Sequence, residues 1–217
     1  MTIVLFLIII LSSFKKGKHN SDAAHKEINI MNENISSNAY STLQLVTTAL
    51  MAAVICLLAP LSIPFPGSPV PISLGTFAVY LTAVLLGSRR GAGSVLLYLV
   101  LGLVGMPVFS GYGSGAGVLF GPTGGYLIGY LPLVILCGIA FRKGWPRPVM
   151  VLGSLGATLV LYIIGTAWLM FTARLTLPAA LMAGMIPFIP GDLIKIIVTV
   201  LIGPEISNRL LRAGIEL

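Results

Sequence analysis

Long stretches of apolar residues, separated by short polar segments, make up most of this chain. No charged residue occurs between Asn34 and Ser88, and none occurs between Gly91 and Phe141. A helix of about 20 apolar residues is long enough to cross the hydrocarbon core of a bilayer. The pattern therefore predicts an all-α membrane protein with six spans, near 43–63, 72–88, 92–109, 124–141, 149–171 and 191–211.

The N-terminal part of the chain does not follow this pattern. Residues 1–14 are apolar but too short to cross a bilayer comfortably, and residues 15–41 are polar and contain four lysines. The lysines follow the apolar run, whereas a signal peptide has its basic residues first. We therefore expect an N-terminal extension, 1–42, and a membrane domain, 43–212. Whether 1–14 is an interfacial helix or reflects a wrong start codon stays open.

Composition and charge agree with a membrane protein. The chain has 57% hydrophobic and 9% charged residues, with a net charge of +7. In a six-span arrangement, 11 of the 13 Lys and Arg residues fall on one side of the membrane. Because cytoplasmic connections are enriched in Lys and Arg, both termini are predicted to be cytoplasmic. A seven-span arrangement, in which 1–14 also crosses, is the weaker alternative.

The connections on the opposite side differ in composition. One, at 64–71, has four prolines, and another, at 110–125, has seven glycines. A third contains the apolar stretch 178–189, which is too short to cross and predicts a helix lying against the bundle. Irregular backbone at membrane depth is tolerated where protein buries it or where it lines a cavity. We therefore expect a ligand pocket on this outer side.

Asp192 and Lys195 carry opposite charges at the beginning of the last predicted span. Charged residues inside apolar spans are costly and point to a functional site. At i and i+3 the two side chains share one helix face, so a bound polar molecule could contact both. The alternative is a self-neutralising pair that anchors a helix end near the lipid headgroups.

Catalysis is poorly supported by the residue types. Asp192 is the only carboxylate well inside a predicted span, so a two-carboxylate mechanism lacks its partner. His19 and His25 both lie in the polar N-terminal stretch, and no metal-ligand spacing accompanies them. Cys56 and Cys137 lie in apolar spans, which does not suggest a disulfide framework. No Gly-x-x-x-x-Gly-Lys-Ser/Thr motif occurs, so any ATP-driven work requires a partner.

Small residues recur at helical spacing in two spans. Gly125 and Gly129 form one pair, and Ala49 and Ala53 form another in the first span. Small residues at i and i+4 allow two helices to approach closely. In a helical bundle such pairs mostly serve internal packing, and a partner surface is the alternative.

Six motifs in a fixed order carry a family resemblance. They are Thr48-Ala-Leu-Met-Ala-Ala-Val54, Ile63-Pro-Phe-Pro-Gly-Ser-Pro-Val-Pro-Ile72, Leu86-Gly-Ser-Arg-Arg-Gly91, Gly105-Met-Pro-Val-Phe109, Gly121-Pro-Thr-Gly-Gly-Tyr-Leu-Ile-Gly129 and Ile189-Pro-Gly-Asp-Leu-Ile-Lys195. Over residues 43–212 the chain resembles the BioY family, the biotin-specific substrate-binding (S) subunits of energy-coupling factor (ECF) transporters. The extension 1–42 is not part of the family pattern, and its role stays open.

The resemblance implies a six-helix, vitamin-binding subunit of the bacterial cytoplasmic membrane. Its implied partners are a transmembrane coupling (T) subunit and two ATPase subunits, and it implies no cofactor besides biotin as the transported ligand. It assigns Asp192 and Lys195 to the biotin pocket, and Ala49 and Ala53 to the surface that meets the coupling subunit. The candidate substrate-binding residues of the glycine-rich motif are Gly121, Thr123, Gly124 and Tyr126.

Two alternatives remain at this point. The same architecture could bind a different vitamin, or the chain could be a stand-alone channel or proton-coupled carrier. The residues alone do not identify the ligand, nor which end of it faces Asp192 and Lys195. Arg174 could pair with a carboxylate near the pocket entrance, but we expect it to be a surface residue at a helix end.

Overall fold

Apolar helices account for most of the computed structural model, which describes residues 42–141 and 145–212. The extension predicted for 1–42, apart from its last residue, and the basic residues Arg142 and Lys143 lie outside the described residues. The helices are α1 (Thr42–Leu58), α2 (Gly75–Val104), α3 (Ala116–Leu119), α4 (Gly124–Ala140), α5 (Arg147–Thr172), α6 (Leu177–Gly184) and α7 (Ile189–Arg212), with 3-10 turns at Ser110–Tyr112 and Ile186–Phe188.

Three helical segments of the described chain are long and apolar enough to cross a membrane. They are Gly75–Val104, Arg147–Thr172 and Leu177–Leu210, and the apolar helices Thr42–Leu58 and Gly124–Ala140 are shorter. Large apolar side chains such as Leu57, Val104 and Phe171 are more than two-thirds exposed. Soluble monomers rarely expose large contiguous apolar patches. This surface suits the interior of a bilayer.

The second and third predicted spans are joined without a loop. Helix α2 continues through Arg89 and Arg90, and only Gly87 inside it has a non-helical conformation, with φ at 71° and ψ at −169°. A Cβ built on Gly91 would lie 3.7 Å from the Thr82 methyl carbon, although nine residues of straight helix span about 13.5 Å. The chain therefore bends back at Gly87, because glycine adopts positive φ without steric cost.

A two-residue ribbon departs from the all-α prediction. Strand β1 (Ser62–Ile63) pairs antiparallel with β2 (Ile72–Ser73), and Ser62 lies opposite Ser73. The prolines of 64–71 fill the connecting loop, and proline has no N–H to donate to a β-ladder. The ribbon is short for that reason, and it holds Ser73 directly before α2.

The core lies where α2 and α5 pack against α4, with α7 packed on α2. Its fully buried large side chains include Tyr80, Tyr98, Leu133, Leu161 and Ile196. Helix α1 lies at the edge of this bundle. It buries Ile55, and its Thr48 carbonyl oxygen accepts a hydrogen bond of 2.8 Å from the Ser94 hydroxyl of α2.

Candidate ligand-binding site

A cavity lies among α2, α4, α5 and α7. It encloses about 560 Å³ of empty space, counting the space at its open mouth. Its lining residues are Val70, Pro71, Ser73, Thr76, Phe109, Ser110, Val118, Thr123, Tyr126, Leu127, Tyr130, Leu161, Tyr162, Phe188, Asp192 and Lys195.

Asp192 and Lys195 form an ion pair in the wall of this cavity. Lys195 Nζ lies 2.9 Å from Asp192 Oδ1, and the two side chains are 13% and 6% exposed. Both residues belong to the first two turns of α7, so the i, i+3 spacing brings them onto one face as the sequence predicts. A pair this buried does not fit the alternative of a headgroup anchor, which would keep its charges in water.

Every proton of the Lys195 ammonium group has an acceptor. Besides Asp192 Oδ1, Nζ donates to the Ser73 carbonyl oxygen at 2.8 Å and to Thr76 Oγ1 at 2.8 Å. An ammonium group has three N–H donors, so this set is complete. The helix start of α2 and the ribbon strand β2 thus fix the Lys195 side chain in place.

The Asp192 carboxylate is held from two further helices. Thr76 Oγ1 donates to Oδ1 at 3.1 Å, and the Tyr162 hydroxyl of α5 donates to Oδ2 at 2.7 Å. Together with Lys195 these are three donors on two oxygens that have about four acceptor positions. Oδ2 therefore keeps capacity for one more donor, such as an N–H of a ligand.

Thr76, Tyr162 and Ser73 were not among the residues predicted from the sequence. Threonine, tyrosine and serine are ordinary in apolar spans, and the chain has seven tyrosines. What marks these three residues as part of the site is that each faces Asp192 or Lys195. This can be recognised only when the neighbouring helices are known. Thr76 and Asp192 are 116 residues apart in the chain.

Thr123 and Tyr126, both predicted for the pocket, do line the cavity. The Tyr126 hydroxyl donates to the Gly184 carbonyl oxygen at 2.7 Å and lies 3.3 Å from Thr166 Oγ1. Because that proton is already donated to Gly184, Thr166 is the donor in the second bond. What Tyr126 offers the cavity is therefore mainly its ring, since its hydroxyl is used to hold α6.

Gly121 and Gly124 were also predicted for the pocket, but neither lines the cavity. The Gly121 carbonyl oxygen accepts a hydrogen bond of 2.9 Å from Trp168 Nε1. Gly124 packs so closely on the Leu119 carbonyl group that a Cβ there would overlap it. We therefore expect both glycines to shape the wall at the start of α4 instead of contacting a ligand.

Aromatic side chains form the apolar part of the wall. Phe109 and Tyr130 line the cavity, and both rings pack on the fully buried Tyr98 behind them. The Tyr98 and Phe109 ring centroids are 5.5 Å apart at 82°, and those of Tyr98 and Tyr130 are 6.4 Å apart at 30°. Edge-to-face and offset contacts of this kind stabilise aromatic clusters. This side of the cavity suits an apolar ligand surface.

Ala49 and Ala53 lie elsewhere. Both are exposed on α1, neither lines the cavity, and the exposed Leu45 and Leu50 flank them. The opposite side of α1 carries the buried Ile55. The two alanines therefore form part of an outward apolar surface and take no part in packing the described bundle.

Metal-binding side chains do not cluster in the part of the chain that the structure describes. No group of three or more His, Cys, Asp or Glu side chains there could hold a metal ion. Within the same residues, the cavity contains one acid and one base, joined to each other. Its chemistry is that of a binding site with a neutralised charge pair, hydroxyl groups and aromatic walls.

Comparison with known proteins gives a consistent result. A family model described as the BioY family matches residues 31–212. The biotin transporter BioY2 of Lactococcus lactis subsp. cremoris (strain MG1363) is 41% identical over 164 residues, which cover 75% of this chain and 88% of that protein. The biotin transporter BioY of Rhodobacter capsulatus is 40% identical over 154 residues, covering 65% of this chain and 81% of that protein.

A solved structure also resembles this fold. It is the crystal structure of the S-component for biotin from an ECF-type ABC transporter, with a TM-score of 0.71 and 32% sequence identity. The likeness covers 78% of this chain and 95% of that protein. The similarity therefore extends over nearly the whole of the solved protein.

Proposed function

The chain belongs to the BioY family, and we propose that it is the biotin-binding subunit of an ECF-type ABC transporter. It captures biotin on the outer side of the membrane and delivers it for ATP-driven uptake through partner subunits. The observation that carries this proposal is the buried Asp192–Lys195 pair in the wall of the cavity among α2, α4, α5 and α7. Family relatives named as biotin transporters support the choice of ligand.

The charge pair complements the ureido ring of biotin. A ureido ring has two N–H donors and one carbonyl acceptor and carries no charge. An N–H can bind Asp192 Oδ2, which keeps acceptor capacity beside Tyr162. The ring carbonyl can replace the Ser73 carbonyl oxygen as an acceptor for Lys195. Such an exchange keeps all three protons of Lys195 paired, which matters because a buried polar group left unpaired is costly.

The remaining walls suit the rest of the molecule. Biotin has a thioether ring and an aliphatic valeryl chain, and both favour apolar surroundings. Phe109, Tyr130 and Leu161 supply such a surface beside the charge pair. Binding by these contacts needs no covalent chemistry, in keeping with relatives that are named as transporters and not as enzymes.

The proposal includes an arrangement in the membrane. The crossing segments would be α1, the two halves of α2 on either side of Gly87, α4, α5 and α7. The bend at Gly87 supports six segments, because it returns the chain to the side where α2 began. Eleven of the 13 basic residues then face the cytoplasm, as do both termini. The expected location is the bacterial cytoplasmic membrane.

The proposal also divides the chain into two parts. Residues 43–212 would form the ligand-binding membrane domain, and 1–42 would be an extension. The family match over residues 31–212 supports a membrane domain in this part of the chain, and its first residues overlap the end of the proposed extension.

Transport by this chain requires other proteins. Its sequence contains no phosphate-binding Gly-x-x-x-x-Gly-Lys-Ser/Thr motif. The proposed partners are a transmembrane coupling subunit and two ATPase subunits. Ala49 and Ala53 are the proposed contact surface, because they are small, exposed and one helical turn apart on α1.

Titration of the purified full chain with a panel of vitamins tests the proposal. We expect tight binding of biotin and no measurable binding of riboflavin or thiamine. Tight binding of another vitamin with none of biotin would reject the ligand assignment. Biotin accumulation in liposomes that contain only this chain would favour a stand-alone carrier and reject the need for partners.

A further inference from the structure

The charges in the cavity determine how the other end of the ligand is held. This inference rests on the proposed function. Biotin has a neutral ureido ring at one end and a carboxylate at the other. A desolvated carboxylate is bound most strongly by a cation that is free to pair with it, typically Arg or Lys. The positions of the cations near the cavity therefore determine whether the ligand carboxylate can form an ion pair.

Lys195 is the only cation among the described residues that line the cavity, and it is not free. Asp192 neutralises its charge, and its three protons have acceptors. A carboxylate brought to Lys195 would also approach the Asp192 carboxylate, and like charges placed together weaken binding. The neutral ureido ring meets no such repulsion. The charge pair thus selects the ring end and disfavours the acid end.

The other described cations are placed away from the cavity. Arg174 is exposed and does not line it. Arg89 and Arg90 follow the Gly87 bend, and the helix from Thr76 to that bend spans about 16.5 Å. Arg147, Arg209 and Arg212 do not line the cavity either, so the ligand carboxylate meets no described cation in the cavity wall that could neutralise it.

Neutral hydroxyl groups face the cavity at the glycine-rich segment. Ser110 and Thr123 are half-buried, and neither side chain has a hydrogen-bond partner among the described residues. A hydroxyl donates to a carboxylate, an amide or an ester oxygen alike. Bonds to a charged acceptor are stronger, but a group open to water gains little of that advantage.

We propose that this site recognises the ureido ring and does not require the charge of the carboxylate. The acid end then lies toward Ser110 and Thr123, partly in water. The ligand class of this chain therefore includes biotin whose carboxyl group is amidated, as well as the free acid.

Titration of the purified full chain with biotin and with biotinamide, at neutral pH and constant ionic strength, tests this inference. We expect dissociation constants that agree within tenfold. Weakening of biotinamide by more than tenfold would overturn the inference, because it would require a cation that pairs with the acid. Failure of biotin itself to bind would instead reject the proposed function. The two failures are therefore distinguishable.

A gain of selectivity tests where the acid end lies. Thr123→Lys places a free ammonium group at the proposed position of the carboxylate. This variant should prefer biotin over biotinamide by more than tenfold, while the natural chain shows no such preference. Thr123→Gln, of similar length but neutral, is the matched control and should bind both ligands equally. A Thr123→Lys variant that binds biotin without any preference would contradict the placement.

Discussion

Thr76 Oγ1 lies 2.8 Å from Lys195 Nζ, and the same oxygen donates to the carboxylate that pairs with Lys195. One hydroxyl at the start of α2 therefore accepts from the cation and donates to the anion. Because Thr76 is 119 residues from Lys195 in the chain, this contact joins two distant helices at the charge pair. We regard Thr76 as a positioning residue for both partners.

Thr76→Val should weaken biotin binding, because the substitution keeps the shape and removes both hydrogen bonds to charged groups. Hydrogen bonds to charged groups contribute about 1.5 to 3 kcal/mol each, so an affinity loss of at least tenfold is expected by titration. Thr76→Ser keeps the hydroxyl and should bind within about threefold of the natural chain. Equal affinity of the valine and serine variants would contradict this role.

Asp192→Asn and Lys195→Ala should each weaken biotin binding by well over tenfold. Removing one member of a desolvated charge pair costs about 2 to 5 kcal/mol, since the other charge is left buried and unpaired. Calorimetric titration of each purified variant measures this loss, and both variants should still insert and purify normally.

The matched control lies on the same helix. Glu205 and Arg209 form an ion pair of 3.2 Å whose side chains are 62% and 77% exposed. Exposed pairs contribute little, so Glu205→Gln should leave biotin affinity unchanged. If Asp192→Asn and Lys195→Ala also bound biotin normally, the buried pair would have a structural role only.

The double substitution of Ala49 and Ala53 by Trp should separate biotin binding from coupling to the partner subunit. Both residues are exposed on α1 and lie outside the cavity, so biotin binding should persist. Overfilling a close helix contact costs about 1 to 3 kcal/mol per site, so the variant should not co-purify with a coupling subunit or support uptake. Titration, co-purification and uptake of labelled biotin are the three measurements.

Ile163→Trp is the control for that double variant, because Ile163 is also exposed but lies on α5. It should bind and transport biotin normally. Loss of biotin binding in the alanine-to-tryptophan variant would mean that the alanines pack internally. Normal transport by that variant would place the partner surface on another helix.

Gly124→Ala should destabilise the wall at the start of α4. A Cβ at this position would overlap the Leu119 carbonyl group, so the preceding turn must move. We expect a loss of about 1 to 3 kcal/mol in stability, measured as a lower midpoint of thermal unfolding, together with weaker biotin binding. Gly117→Ala in the same segment meets no atom within 4 Å and should change neither quantity.

The sequence by itself determined the features that depend on local spacing and composition. The uncharged stretches 34–88 and 91–141 predicted a helical membrane protein, because only helix-length apolar segments suit a bilayer core. The same reasoning placed Asp192 and Lys195 on one helix face, since residues three apart on a helix are neighbours wherever that helix lies. Both predictions required no knowledge of which helices pack together.

Some boundaries were wrong because tertiary contacts overrode local signals. Residues 89–91 were expected to lie in a loop, but a single glycine conformation at Gly87 turns the chain and the helix continues. The first two spans were expected to include residues 62–63 and 72–73, yet these residues pair as a short ribbon on either side of the proline-rich loop. Neither outcome follows from propensity, because each depends on what the returning chain packs against.

Only the tertiary structure decided which residues surround the charge pair. Ser73, Thr76 and Tyr162 come from a strand and two helices, and their hydrogen bonds to Asp192 and Lys195 join positions 30 to 122 residues apart. The tertiary structure also shows that Thr123 and Tyr126 of the glycine-rich motif line the cavity, whereas Gly121 and Gly124 do not. A motif gives the order of residues along the chain. Which of them face a cavity depends on helix rotation and close packing, which local sequence does not encode.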